Sequence, residues 1–207
     1  MKLLNIFIKT IFFMSGFSAL IYQIAWQRML FTAFGVDLES ITVIISVFMA
    51  GLGVGAYFGG RIADKLLPNT ANIIIFFALT EIGIGCFGFA SPSILMWSQE
   101  TFLYSSTFMI AFANFILLLF PTFLMGCTLP LLTTYLQQYN PNIGDNIGWL
   151  YFTNTIGAGV ACFATGFILF TSYTLDQTIY IAATINLIVA TSIFVVLSSI
   201  RKVTAHE

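Results

Sequence analysis

Four polar side chains in otherwise apolar stretches are the residues best placed to do chemistry. They are Glu81, Asn114, Asn154 and Asn186, which fall at a similar depth in four different stretches. A carboxyl or amide group inside an apolar segment is costly, so the pattern predicts one buried site for a ligand or an ion. Alternatively, the same side chains only join helices by hydrogen bonds.

The first apolar stretch carries a second polar group, in the segment Tyr22-Gln-Ile-Ala-Trp26-Gln-Arg28. Tyr22 and Trp26 share one face of a helix, and Gln23 lies beside that face. The face either turns toward an interior cavity, where Tyr22, Gln23, Trp26 and Arg28 would contact a ligand, or forms an aromatic belt with Arg28 at the outer interface.

Few other residues suit catalysis or metal binding. The three cysteines (Cys86, Cys127 and Cys162) lie in apolar runs, and the only histidine is His206. No metal-ligand spacing is present, and no nucleophile–base pair or second carboxylate accompanies Glu81. We therefore expect no metal, no cofactor and no enzymatic activity.

The composition places these residues in a membrane. Of the 207 residues, 59% are hydrophobic and only 7% are charged, and the mean hydropathy is +0.98. So few charges cannot cover a water-facing surface, which excludes a soluble domain, and the high hydrophobicity excludes disorder. A net charge of −1 gives no basic surface for nucleic acid. The expected partner is the lipid bilayer.

Six apolar stretches are long enough to span a bilayer as helices, since a span needs about 20 residues. Polar or turn-forming residues separate them. We predict a single all-α domain over residues 1–207, a polytopic bundle of six transmembrane helices. The predicted helices cover residues 10–34, 40–60, 71–97, 106–136, 147–171 and 177–200.

The basic residues predict the orientation. Cytoplasmic loops are enriched in Lys and Arg, so both termini are predicted to be cytoplasmic, in a bacterial plasma membrane. Arg28 is the one exception, and the opposite loops hold acidic residues such as Glu39 and Glu100. The basic residues on the cytoplasmic side are Lys2, Lys9, Arg61, Lys65, Arg201 and Lys202.

Glycines recur in the second and fifth stretches at spacings that suit close packing, because small residues let helix backbones approach. Gly53-Val-Gly55 is similar to Gly157-Ala-Gly159, which suggests a weak internal repeat of two three-helix halves with inverted topology. The glycines predicted to pack helices are Gly51, Gly53, Gly55, Gly59, Gly157 and Gly159.

Two further features concern single helices. Pro121 and Pro130 are predicted to kink or interrupt the fourth helix, because proline removes a backbone donor. At the end of the second helix, Arg61 and Asp64 are three residues apart. They either form an ion pair at a cytoplasmic loop or only set the topology.

Four segments of the chain form a recognisable combination: SGFSALIYQIAWQR (15–28), FMAGLGVGAYFGGRIAD (48–64), MGCTLPLL (125–132) and GWLYFTNTIGAGVACFATGFIL (148–169). Together they resemble the membrane region of spermidine synthase-like membrane proteins. In that family the membrane helices usually precede a cytoplasmic Rossmann-like domain of the aminopropyltransferase type, and some members resemble half of a major facilitator transporter. Trp26 and Arg28 match the family, whereas Gln23 stands where many relatives have an acidic residue.

The resemblance implies a membrane unit, and we expect it to lack the catalytic domain because only seven residues follow the sixth predicted helix. Two functions remain open. In the first, the chain binds or transports a small molecule at the mid-membrane polar site, as a homo-oligomer, and the resemblance suggests a polyamine-like ligand. In the second, it is a non-catalytic anchor or scaffold in a complex with another membrane protein or a soluble enzyme.

Overall fold

The computed structural model describes the backbone of residues 2–35 and 37–204 and the side chains of residues 4–32, 35 and 38–198. The side chains of Lys2, Arg201, Lys202 and His206 therefore lie outside the described residues. The elements in the described part are helices: α1 (Lys2–Phe34), α2 (Asp37–Leu66), α3 (Thr70–Thr101), α4 (Thr107–Gln137), α5 (Ile143–Ala164), a π-helical turn (Thr165–Leu169), α6 (Phe170–Ser172) and α7 (Leu175–Thr204).

Six helical spans are long and apolar enough to cross a membrane, which confirms the predicted all-α bundle. The π turn joins α5 and α6 into one span, and α7 is the sixth span. Several helices extend beyond their predicted bounds; α1 begins at Lys2 rather than at residue 10. Apolar character marks only the part of a helix inside the hydrocarbon, so the polar ends were missed. The orientation stays a prediction.

Short polar turns start three of the helices. The side chains of Asn69, Ser106 and Asn142 accept hydrogen bonds from the first backbone N–H groups of α3, α4 and α5, respectively. Such caps satisfy donors that have no partner within the helix. They fix where each chain segment re-enters the bundle.

The fourth helix was predicted to be kinked or interrupted; the interruption is wrong, and the kink stays a prediction. Pro121 and Pro130 both lie inside α4, which is one continuous α-helix. The backbone irregularity lies instead in the fifth span, at the π turn Thr165–Leu169. Because α2 packs along α4 more extensively than any other pair of helices in the described part, neighbouring backbone holds α4 in place despite the missing hydrogen bonds.

The helices pack in three main pairs: α2 with α4, α1 with α5, and α3 with α7. Secondary contacts join α3 to α4 and α1 to α7. If spans one, two and three are matched with spans four, five and six, the α2–α4 contact corresponds to the α1–α5 contact, and the α3–α7 contact corresponds to itself. The contacts are therefore those expected of two equivalent three-helix halves.

Glycine allows α2 and α4 to touch backbone to backbone. A Cβ on Gly55 would lie 2.9 Å from the Cα of Gly126 and would overlap the carbonyl of Phe123. A Cβ on Gly126 would in turn lie 2.5 Å from the carbonyl oxygen of Leu52. Two more predicted packing positions on α2 also meet α4 closely, namely Gly51 and Gly59.

The contact between α1 and α5 repeats this arrangement. A Cβ on Gly157 would overlap the carbonyl of Phe13, and one on Gly16 would overlap the carbonyl of Asn154. Each helix contributes both a glycine and, three residues before it, the carbonyl group that the glycine of the other helix meets. Gly126 and Phe123 of α4 have the same spacing. The two halves thus use the same local geometry.

The structure corrects the register of the repeat. Gly55 is equivalent to Gly157, whereas the sequence had matched Gly157 with Gly53 and Gly159 with Gly55. Apart from the adjoining residues and backbone of the same helix, no atom in the described part of the chain lies within 4 Å of a Cβ built on Gly53 or Gly159. These two glycines do not pack helices of this chain, so that prediction was wrong for them.

Candidate functional site

Three helices meet at the carboxyl group of Glu81, which is fully buried in α3. The Ser15 hydroxyl of α1 donates a hydrogen bond to Oε1, with an Oγ–Oε1 distance of 2.6 Å. The Asn186 amide of α7 donates to Oε2, with an Nδ2–Oε2 distance of 2.6 Å. Both carboxyl oxygens are therefore engaged by neighbouring helices.

A glycine one turn along α3 brings α7 close enough for this contact. A Cβ on Gly85 would lie 3.1 Å from the carbonyl oxygen of Ala183, which is tighter than ordinary van der Waals contact. Gly85 and Glu81 are four residues apart and share one face of α3. The short amide of Asn186 can consequently reach the carboxyl group.

No cation neutralises Glu81 within the described residues. Three basic side chains lie against aromatic rings elsewhere. A buried carboxylate without a counter-charge is costly even when it accepts hydrogen bonds. The three contacts are Lys9 Nζ at 4.0 Å from the ring centroid of Trp149, Arg28 Cζ at 4.9 Å from that of Phe170, and Arg61 Cζ at 4.4 Å from that of Tyr57.

A cavity of about 150 Å³ lies next to the two residues that bind Glu81, and Glu81 itself does not line it. Ser15 and Asn186 line it, so Glu81 is one hydrogen bond behind the cavity wall. The rest of the wall is mainly apolar, as at Phe48 and Ile84. The other polar side chains that line it are Gln23, Thr128 and Asn154.

The hydrogen bonds to Glu81 use donors of Ser15 and Asn186, two residues that line the cavity. Ser15 gives its single O–H to the carboxyl group and keeps only lone pairs. Asn186 gives one amide hydrogen to the same group, and its Oδ1 is buried with no hydrogen-bond partner in the described structure. Both residues therefore keep an acceptor oxygen next to the cavity wall.

The structure brings together three of the four polar residues predicted to form the mid-depth site. Glu81 and Asn186 are hydrogen-bonded, and Asn154 lines the same cavity. Asn114 does not join them: its Nδ2 donates to the carbonyl oxygen of Ile110 in its own helix, at 2.8 Å. Its depth was inferred from the sequence, but the helix face it occupies is set by packing.

Of the first-helix residues predicted to bind ligand, only Gln23 lines the cavity. Tyr22 and Trp26 are fully buried in a hydrophobic cluster, with their rings stacked at a centroid distance of 4.8 Å. The Trp26 indole also donates to Ser91 Oγ, with an Nε1–Oγ distance of 2.9 Å. Both aromatic residues thus face the bundle interior as packing residues.

The predicted charged positions lie outside the cavity. Arg28 is exposed and lies over the ring of Phe170. Arg61 lies over Tyr57 and does not form the considered ion pair with Asp64, which is also exposed. The cation–π contacts are of the kind expected at exposed sites, about 0.5–1 kcal/mol each.

Sequence reasoning missed two residues of the site. Ser15 holds Glu81; it lies at helical spacing from Tyr22 and Trp26, on the same face of the first helix, but was not among the predicted site residues. Thr128 lines the cavity from α4 but resembles any threonine that bonds its own helix, as it does with the carbonyl oxygen of Met125. Neither has a sequence signal that separates it from other hydroxyl residues in apolar helices.

The fold and site define an integral membrane protein that crosses the bilayer with six helices and contacts lipid. Within its bundle it holds a fully buried carboxyl group beside a cavity lined by both apolar and polar side chains. No protein-family model, curated protein or solved structure matches the chain.

Proposed function

We propose that the protein binds a small organic cation in the cavity beside Glu81 and carries it across the membrane. One observation carries this proposal. Glu81 is fully buried with no counter-charge among the described side chains, and it lies one hydrogen bond behind a cavity that has room for a ligand. A cation in the cavity would supply the missing charge and offset the cost of burying the carboxylate.

The hydrogen-bonding capacity of the cavity favours the same class of ligand. The Ser15 Oγ acts as an acceptor because its only hydrogen goes to the carboxyl group, and the Asn186 Oδ1 is an acceptor without a donor in the described structure. An ammonium group carries three donors and no acceptor. It therefore complements these oxygens, whereas an anion or a carbonyl ligand would not.

The cavity volume limits the size of the bound group. A cavity of about 150 Å³ is as large as an engineered apolar cavity that holds benzene. A butylammonium ion fits such a space, but an extended polyamine does not fit within the cavity alone. An amine is also the ligand class expected from the predicted resemblance to spermidine synthase-like membrane proteins.

The other parts of this function stay predictions. A homo-oligomer is expected because six spans are few for a transporter, and a bacterial plasma membrane is expected from the charge pattern. An anchor or scaffold would have no use for a ligand at Glu81. Binding at this residue therefore separates the two functions.

Replacing Glu81→Gln removes the charge and nearly preserves the shape of the side chain. We expect the affinity for radiolabelled butylammonium, measured with the protein in lipid nanodiscs, to fall at least about 30-fold. This corresponds to losing one partner of a buried charge pair, about 2 kcal/mol or more.

Glu100→Gln is the matched control, because Glu100 lies in the same helix but is exposed. It should bind butylammonium like the wild type. Equal affinities for the wild type and Glu81→Gln would contradict the proposal. A folded wild-type protein that binds no butylammonium would also contradict it and would favour the anchor role.

A further inference from the structure

A larger groove adjoins the cavity. The groove has a volume of about 430 Å³ and is lined by residues of α1, α2, α4 and α5. Four residues line both spaces, so the two are about one side chain apart: Leu52, Met125, Thr128 and Asn154. A ligand that reached from the cavity into the groove would pass between these side chains.

The groove lies on a part of the surface that is expected to face hydrocarbon rather than water. Met49 and Tyr151 at its edge are each 63% exposed, and Gly53 lies near the middle of α2. None of its lining residues is charged, and most are apolar. At mid-span, an exposed apolar surface of this kind faces lipid tails.

We propose that the ligand is an amphipathic monocation, an alkylammonium whose head occupies the cavity and whose hydrocarbon tail lies in the groove. This inference rests on the proposed function, because it requires that an ammonium group bind beside Glu81. The head contacts the Ser15 and Asn186 oxygens. The tail passes between Leu52 and Asn154 and enters laterally from the bilayer.

The charge count within the site distinguishes this ligand from a polyamine. Glu81 is the only carboxylate among the residues of the cluster, the cavity and the groove. A second ammonium group would sit in the apolar groove without a partner, near the middle of the membrane. That position is costly, by about 100-fold or more in affinity on insertion scales.

The test compares butylammonium, octylammonium and 1,8-diaminooctane as competitors for radiolabelled butylammonium, with the full chain in nanodiscs and free aqueous concentrations measured. Octylammonium should bind at least about tenfold more tightly than butylammonium, because its added methylenes are buried. The diamine should bind about 100-fold more weakly than octylammonium.

Gly53→Leu tests the groove itself. Gly53 lines the groove, and a Cβ built there has no described atom within 4 Å beyond the adjoining residues and backbone of its own helix, so a leucine fits and occupies the tail space. We expect the octylammonium affinity to fall about tenfold while the butylammonium affinity is unchanged. Gly159→Leu is the matched control, since Gly159 is equally open but does not line the groove, and it should change neither affinity.

Equal affinities for butylammonium and octylammonium, a diamine that binds as tightly as octylammonium, or a Gly53→Leu variant that binds octylammonium like the wild type would each overturn the inference. These results would leave the proposed function intact as long as butylammonium binding depends on Glu81. Loss of that dependence would instead refute the proposed function.

Discussion

Gly55→Leu should prevent α2 and α4 from packing and should abolish the folded bundle. A side chain at this position would meet the backbone of α4 at Phe123 and Gly126, and backbone atoms cannot move aside as a flexible side chain can. We expect destabilisation of roughly 3 kcal/mol or more, at the upper end of overpacking effects. The yield of monodisperse protein and an SDS unfolding titration would measure it.

The control is Gly53→Leu, two positions away in the same helix. Gly53 faces open space in the described structure, so the larger side chain meets no neighbour. This variant should fold with nearly wild-type stability. If Gly55→Leu also folded normally, the close contact between α2 and α4 would be refuted, and the assignment of equivalent glycines in the two halves would fail with it.

Trp26→Ala should destabilise the protein by about 3–5 kcal/mol, the range for removing a fully buried large aromatic side chain. Trp26 is completely buried, stacks on Tyr22 and donates a hydrogen bond to Ser91. The substitution leaves a cavity, removes the stacking contact and deprives Ser91 Oγ of its donor. The same SDS titration gives the free energy of unfolding.

Trp97→Ala is the matched substitution at the surface, since Trp97 is 60% exposed. Its effect should stay within about 0.5 kcal/mol, as for most exposed positions. The outcome also tests the role of Trp26. Wild-type stability combined with lost butylammonium binding would mean that Trp26 contacts the ligand, as the sequence first suggested, and would contradict its role as a packing residue.

The membrane fold was predictable because composition and stretch length depend only on local sequence. An apolar run of suitable length has few alternatives to a spanning helix. The depth of Glu81 followed from counting residues along such a helix. Asn186 and Asn154 were placed at the same depth by the same count, and both lie at the site.

The rotation of each helix was not predictable, since it depends on which neighbours pack against it. Asn114 has a suitable depth but bonds its own helix, and it does not line the cavity. Gly53 and Gly55 lie about 200° apart around the helix axis, so only one of them can face α4. A glycine pattern in the sequence does not reveal which one.

The π turn in the fifth span and the unbroken α4 were also missed. Proline is a strong local signal for a break, but close packing along α4 overrides it. The π turn at Thr165–Leu169 has no comparable signal. Its first residue, Thr165, is fully buried, and its hydroxyl has no hydrogen-bond partner in the described structure.

Infrared difference spectroscopy on adding butylammonium to the protein in nanodiscs tests the central claim most directly, because it observes the carboxyl group of Glu81. We expect a change in a carboxyl band in the wild type and in Glu100→Gln, and no such change in Glu81→Gln. Saturable binding of butylammonium to the wild type, with no carboxyl band change that depends on Glu81, would contradict the claim that the cation binds beside this residue.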